Sequence, residues 1–510
     1  MMLSLQLQTM TPSRRYKTTF GLIDQEKKMS FFERRHTRKF CVNFIPQEQG
    51  WRAGQGGKCK CGYSKQDHLP HSSANVWSNS QEWRRELHLE TVDYGRRGFN
   101  CKLKFISQID NYDHTADFTV IADDSHPEVA MEHLLLDWHL ELPNIVISVA
   151  GSEKSLGMIA RHATRFKTAL LKTVCCTKCW VITGGTSNGV DKLVVDALRE
   201  AQLLSWMGGD APKFRIIGFA NWNCVKGHEK LGQMVYVDPR VTGEYVVQKN
   251  SLTELEFEPS LNPMISHFLC IEGGLKGKKG QEVFVRSAVE ETLAGAAEEE
   301  AVTGFSGYGI PTVLILLKGD FDVFERAANA VCKGIGIVIC EGLGGATDIL
   351  YYAFRMSSKN SPSVILSPIQ QLKVMRLMEA MHKRKLLSNL YSKEPFEAAR
   401  HMHMIYQCLR HKQLIFWYKT QRTEEPLDET IVRALLAGNA ARKKDSLELA
   451  LHWNRCDETV REMCEEQDMW SRTNADQLFT KALFEGKVDF VQVFLEYGFD
   501  IKHYLSAHRS

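Results

Sequence analysis

Six short apolar runs punctuate the middle of the chain: Ile145 to Ala150, Cys179 to Ile182, Ile216 to Phe219, His267 to Ile271, Thr312 to Leu317 and Gly336 to Cys340. Each is too short for a core helix. Uninterrupted runs of this length, rich in Val and Ile, are the mark of strands buried on both faces. Between them, apolar residues recur at helical spacing. Val129, Leu134, Leu135 and Trp138 predict a helix over 127–138, and Leu193, Val194, Ala197 and Leu198 predict one that starts near Asn188. Further helices are predicted over 155–172, 281–293 and 321–333. Asn100 to Ile106 and Phe118 to Ala122 add two strands, and the stretch from Ala220 to Pro263 reads as a long loop with a strand or two. Strand and helix in alternation predict an α/β fold with a Rossmann-like, doubly wound parallel sheet over residues 76–368.

The pattern changes on either side. After about residue 370 the strand signals stop and short helical segments follow: 369–387, 395–409, 427–436, 446–453, 457–467, 476–484 and 488–497. These predict an all-α helical-repeat domain over 369–510, in which Ala482-Leu483-Phe484, Phe490-Val491, Phe494-Leu495 and Gly498 look like an ankyrin-like hairpin. Residues 1–75, with Arg14-Arg15, Arg34-Arg35 and a glycine-rich run from Gly50 to Gly62, read as a basic, loosely ordered N-terminal extension.

Charge and composition narrow the function. The 510 residues carry a formal net charge of +3, which gives no case for nucleic-acid binding. No apolar run reaches the ~18 residues that a membrane span needs, and Met1 to Phe20 lacks the apolar core of a signal peptide. The expectation is a soluble, cytoplasmic chain. Its 14 scattered cysteines suit reduced thiols. The pair Cys176 and Cys179 precedes a strand rather than opening a helix, so a redox role is not expected. Cys59 and Cys61 with His68 and His71 have the residue types of a zinc site, but their spacing is irregular; the expectation is loop cysteines and no metal.

Candidate chemistry lies in the turns that end three of the strands. Thr183-Gly184-Gly185-Thr186-Ser187-Asn188-Gly189 joins a strand to a helix start. Glycines let backbone approach an anion, and the N–H groups of a helix N-terminus point at it. Gly151 ends one strand, and Gly342, Gly344 and Gly345 follow another. On one edge of a parallel sheet these turns would border the crevice where such folds bind ligands. Lys278 and Lys279, in the basic loop Gly273 to Gly280, would close over a phosphate as a mobile lid, and Arg286 would grip it. The bland alternatives are tight connections that bind nothing and a solvated helix arginine.

Taken together, these stretches resemble the cytosolic N-terminal region of the melastatin-type (TRPM) transient receptor potential cation channels. The resemblance is carried by Cys41-Val42-Asn43-Phe44-Ile45-Pro46, by the run 145–151, by Thr183-Gly184-Gly185 with Gly189-Val190, and by Ser266 to Glu272. It continues through Gly277-Lys278-Lys279-Gly280-Gln281-Glu282 with Arg286, Cys340 to Leu350, Leu451-His452-Trp453-Asn454-Arg455-Cys456-Asp457 and Val488-Asp489-Phe490-Val491. The resemblance implies a SLOG-type nucleotide-binding sandwich, then helical repeats, inside a homotetrameric calcium-permeable channel at the plasma membrane. It implies no catalysis. Some members bind ADP-ribose in this sandwich, so the resemblance implies ADP-ribose or a related adenine nucleotide at the turn 184–189 and Arg286. As aligned, those members carry an arginine where this chain has Asn223-Cys224. The chain stops before any membrane span, and the expectation is a channel fragment or a stand-alone soluble relative.

Two other readings stay open. A soluble nucleotide-processing enzyme of the phosphoribohydrolase type would use paired carboxylates, for which Glu341 and Asp348 are available. A scaffold would bind no ligand at all.

Overall fold

The computed structural model describes residues 37–47 (save 43), 58–64, 68, 88–93, 101–107, 114–152, 156–175, 178–206, 214–231, 242–247, 259–295 (save 279), 308–357, 366–385, 395–420, 426–438, 447, 450–451 and 475–507. His71, Cys176 and Lys279 lie outside them, as do almost all of the helices predicted over 446–453 and 457–467.

The strands are β1 (Thr37–Cys41), β2 (Leu89–Asp93), β3 (Cys101–Ser107), β4 (His114–Ala122), β5 (Ile145–Gly151) and β6 (Cys179–Thr183). They continue with β7 (Phe214–Asn221), β8 (Gly243–Val247), β9 (His267–Glu272), β10 (Thr312–Leu317), β11 (Gly336–Glu341) and β12 (Ile415–Lys419). The helices are α1 (Pro127–Glu132), α2 (Ala160–Cys175), α3 (Gly189–Trp206), α4 (Val283–Ala294), α5 (Asp322–Cys332) and α6 (Ala346–Met356). After these come α7 (Pro368–Lys385), α8 (Pro395–Arg410), α9 (Leu427–Gly438), α10 (Ala475–Phe484), α11 (Val488–Glu496) and α12 (Ile501–Ala507). Strands β3 to β12 pair in mostly parallel fashion. By contacts the chain divides into two compact units.

The first unit comprises Met1–Leu142, Gly184–Ser187 and Ile217–Val289. Its strands run β7-β9-β4-β3-β8, with every pair parallel except β3 and β4. β1 and β2 form a separate antiparallel pair. Lys39 of β1 reaches the end of β4, its ammonium 2.8 Å from Asp123 and 2.7 Å from Asp124. Residues 1–75 are therefore not a loose extension throughout: β1 and the turn around Cys59 belong to the folded unit. Leu89 packs with Cys41, Phe44, Cys59 and Cys61 in a small core that sequence periodicity could not show.

The second unit comprises Pro143–Thr183, Asn188–Ile216 and Glu290–Ser510. Its strands run β12-β11-β10-β5-β6, all parallel. Alternation along the strands sorts the helices onto two faces. Leu314, Leu316, Ile337 and Ile339 share a core with α5, α6, α7 and α8. Gly336, of the opposite parity, faces α9 so closely that a Cβ on it would lie 2.0 Å from the Ala434 carbonyl oxygen. The sheet is thus doubly wound here.

Two expectations for 369–510 need correction. The region is not all-α: Ile415-Phe416-Trp417-Tyr418-Lys419 forms β12, parallel to β11. A run of β-branched and aromatic residues fits a pleated, half-buried surface, and here it occupies the edge beside β11. Nor does the sheet's helical cover stop at residue 368, since α7 and α8 complete the core over β10 and β11. Among the described residues after α9, α10 and α11 pack as a helical hairpin through the turn at Gly486 (φ +67°). Phe479, Phe494, Phe499 and Tyr504 form its aromatic core.

Candidate functional site

The residues that sequence assigns to one ligand site divide between the units. Gly184, Gly185, Thr186, Lys278 and Arg286 belong to the first; Gly151, Thr183, Asn188, Gly189, Gly342, Gly344 and Gly345 belong to the second.

In the first unit the glycine turn is stitched to the segment 260–262. Ser187 N–H donates to the Ser260 carbonyl (2.8 Å), Asn262 N–H donates to the Gly185 carbonyl (3.0 Å), and the Ser187 hydroxyl donates to the Leu261 carbonyl (3.1 Å). Gly185 has φ +82°, and a Cβ there would lie 3.2 Å from Gly218 Cα. A Cβ on Gly218 would lie 2.8 Å from Gly185 Cα. Gly185 is therefore required by close backbone packing against β7, a reason that the sequence argument for phosphate approach did not contain.

The basic loop after β9 is fastened rather than loose. Gly273 N–H donates to the Asn223 side-chain oxygen (2.8 Å) and Gly277 N–H to the Asn223 carbonyl (2.9 Å). Asn221 and Cys224 both donate to the Lys278 carbonyl, at 2.8 and 3.4 Å. Asn223 and Cys224, standing where the resemblance led one to look for an arginine, hold this loop by its backbone. The Lys278 side chain stays exposed above it. Asn223 also donates to the Tyr63 hydroxyl (2.7 Å), which pairs with His228 at 2.9 Å; burial drives that phenol's pKa up.

Arg286, on α4, is 2% exposed. It is one of the largest fully buried side chains among the described residues, which overturns the reading of a solvated helix residue. Gln281, just before α4, is 6% exposed, and neither of its amide atoms has a hydrogen-bond partner. It packs under Gly273, whose Cβ, if present, would lie 2.1 Å from the Gln281 side-chain nitrogen. A buried amide needs hydrogen-bond partners, and the protein supplies none to Gln281. Sequence had offered Gln281 only as part of a resemblance.

In the second unit both helix starts have N–H groups that already donate to backbone carbonyls. Val190 N–H, at the head of α3, donates to the Ser152 carbonyl (3.0 Å), and Asp191 accepts from the Thr183 hydroxyl (2.5 Å). At α6, Ala346 and Thr347 N–H donate to the Gly319 and Lys318 carbonyls, both at 3.1 Å. Asp348 turns back and accepts from the N–H groups of Gly342 and Gly344, both at 2.8 Å. Those donors are committed to a carboxylate, so Gly342 and Gly344 do not present a cradle for another anion. At the end of β5, a Cβ on Gly151 would lie 2.0 Å from the Leu317 carbonyl oxygen. Cys179 is sealed within β6, and burial drives its thiol pKa up.

The grouping of Cys59, Cys61 and His68 read from sequence gains a member in the structure. Cys41, at the end of β1, meets Cys59, Cys61 and His68, with ligand atoms all within 4.8 Å of one another. Sequence grouped the last three but offered no reason to add a cysteine from a strand eighteen positions earlier.

Among the described residues no helix is long and apolar enough to cross a membrane. A family profile described as SLOG in TRPM matches residues 116–391. Nearly the whole chain is similar to a Nematostella vectensis protein named transient receptor potential cation channel subfamily M member-like 2, at 26% identity over 94% of this chain and 29% of that protein. Human subfamily M member 7 is 27% identical over 94% of this chain and 25% of its own length. Mouse subfamily M member 2 is 25% identical over 97% and 31%. The chain thus spans between a quarter and a third of the length of these relatives. With the profile lying over β4 to α7, the chain belongs to the family of SLOG regions found in TRPM channels.

Proposed function

We propose that this chain is the cytosolic ligand-sensing and subunit-assembly region of a TRPM-like, calcium-permeable cation channel, acting on the cytoplasmic side of the plasma membrane within a homotetramer. The observation that supports it is the similarity to channel subunits over 94 to 97% of the chain, sheet and C-terminal helices alike. An interaction surface beyond the sheet suits a channel subunit and is superfluous in a small enzyme. The phosphoribohydrolase reading also loses a group, because Asp348 is spent on its own turn.

The proposed ligand is ADP-ribose or a related adenine nucleotide, held in the first unit by Arg286, with Lys278 above and the amide of Gln281 reading a polar edge. The support is the unmet Gln281 amide in a buried setting on the same helix start as the arginine. Calorimetric titration of the folded chain with ADP-ribose, AMP and ATP tests this, using Gln281→Leu and Arg286→Ala. Replacing an amide that has no protein partner by an apolar side chain of similar size leaves stability near wild type. Binding weakens by about 1.5–3 kcal/mol, roughly ten- to a hundredfold, in Arg286→Ala. No heat from wild type with any of the three ligands would favour the scaffold reading. Binding untouched by both substitutions would move the ligand elsewhere.

A further inference from the structure

The small core beside β1 holds three thiols and one imidazole. Cys41, Cys59 and Cys61 are at most 5% exposed. The Cys41 and Cys59 sulfurs are 3.9 Å apart, and the Cys61 sulfur is 3.5 Å from His68 Nε2. A disulfide would need about 2.05 Å between sulfurs. A tetrahedral zinc ion with Zn–S near 2.3 Å and Zn–N near 2.05 Å would instead set its ligand atoms about 3.8 Å (S to S) and about 3.6 Å (S to N) apart. These two separations match edges of that tetrahedron, and all four ligand atoms lie within 4.8 Å of one another.

We propose that Cys41, Cys59, Cys61 and His68 form a closed, structural Cys3His zinc site. The surroundings are those of a metal site rather than of packed thiols. His68 Nδ1–H donates to the Ser64 carbonyl at 2.7 Å, which fixes the tautomer and presents the Nε2 lone pair to the cysteines. Phe44 stands edge-on to the imidazole, with ring centroids 5.5 Å apart, and holds its plane. Ile45 N–H points at the Cys59 sulfur at 3.3 Å, the kind of donor that steadies a bound thiolate. Cys59 and Cys61 sit in a turn closed by Gly62 N–H to the Cys59 carbonyl (2.8 Å), with Gly62 in the left-handed region at φ +95°. This turn aims two sulfurs at one point. Three thiolates and an imidazole, with no position left for water, select a soft tetrahedral ion and mark the site as structural rather than catalytic.

The ion would join segments that lack a large apolar core of their own. Cys41 brings in β1, Cys59 and Cys61 bring in the turn, and the Cys61 carbonyl accepts from Lys276 N–H at 3.0 Å, which ties the turn to the basic loop after β9. Binding at this site is thus part of the folding free energy of the region.

The test is metal analysis of the full chain, purified without chelator and measured by plasma mass spectrometry. Wild type is expected to carry about one zinc per chain. Cys61→Ser and His68→Ala should each lower the content several-fold, while His71→Ala keeps it. Should the ligand variants fail to fold, cobalt replacement in wild type gives an independent readout: the visible bands of a tetrahedral centre with thiolate charge transfer. Wild type without stoichiometric metal, iron in place of zinc, or a His71→Ala loss equal to that of His68→Ala would each overturn the proposal. The readout is metal content, so it stands or falls separately from nucleotide binding and channel membership.

Discussion

The glycine turns after β6 and β11 look alike in sequence: an apolar strand, several glycines, then a helix with an aspartate in its first turn. The structure gives those aspartates different work. Asp191 is buried and takes the hydroxyl of Thr183, so its own turn's N–H groups go to other partners. Asp348 folds back over its turn and takes two glycine N–H groups. The glycines differ as well. Gly185 and Gly345 are hemmed in by backbone, whereas nothing lies within 4 Å of a Cβ on Gly344. A glycine-rich strand-to-helix turn therefore reports the backbone path but not whether an anion is welcome there. At the first turn neighbouring carbonyls take N–H groups, and at the second the Asp348 carboxylate does.

Substitutions can break this comparison, starting with the largest effect. Gly345→Ala combines φ +78° with a Cβ placed 2.6 Å from the Gly319 carbonyl oxygen. Left-handed strain and the clash together should cost about 3–4 kcal/mol. Gly344→Ala has φ +79° but open space around it, and should cost only about 1–2 kcal/mol. Chemical unfolding of both variants measures the gap; equal losses would show that the turn relaxes and that the Gly319 contact does not matter. The aspartates come next. Asp191→Ala leaves the buried Thr183 hydroxyl without its acceptor and should cost about 2–3 kcal/mol. Asp348→Ala, at a half-exposed site where water can replace the carboxylate, should cost about 1 kcal/mol. The same unfolding curves decide it, and a larger loss at Asp348 would reverse the ranking drawn here.

How much of this was legible follows from what each feature depends on. The six apolar runs are strands because burial on both faces removes polar alternation, a property of the residues themselves. β12 was missed because Ile415 to Lys419 is short, partly exposed and flanked by helices, so its strand character depends on β11 beside it. The Cys3His cluster was half legible. Cys59, Cys61 and His68 are near one another in sequence, but Cys41 arrives only through β1, and pairing across a fold leaves no local spacing. Arg286 and Gln281 carry no burial signal of their own, since a charged and an amide residue at a helix start read as surface. The reason for Gly185 is likewise tertiary, because Gly218, its contact, lies on another strand.

The contact between Gly336 and Ala434 bears on how the protein emerges during synthesis. β11 is complete once residue 341 is made, yet its neighbour β12 and the helix that fits against Gly336 come only with residues 415–438. In the interval β11 stands as an open edge, with unpaired backbone groups and a bare glycine groove, the kind of surface that recruits other chains. A polypeptide ended at residue 391, where the family profile ends, keeps that edge for good. Such a chain is expected to be degraded by protease at denaturant concentrations that leave one ended at residue 440 intact, and to sediment as aggregate where the longer chain stays dispersed.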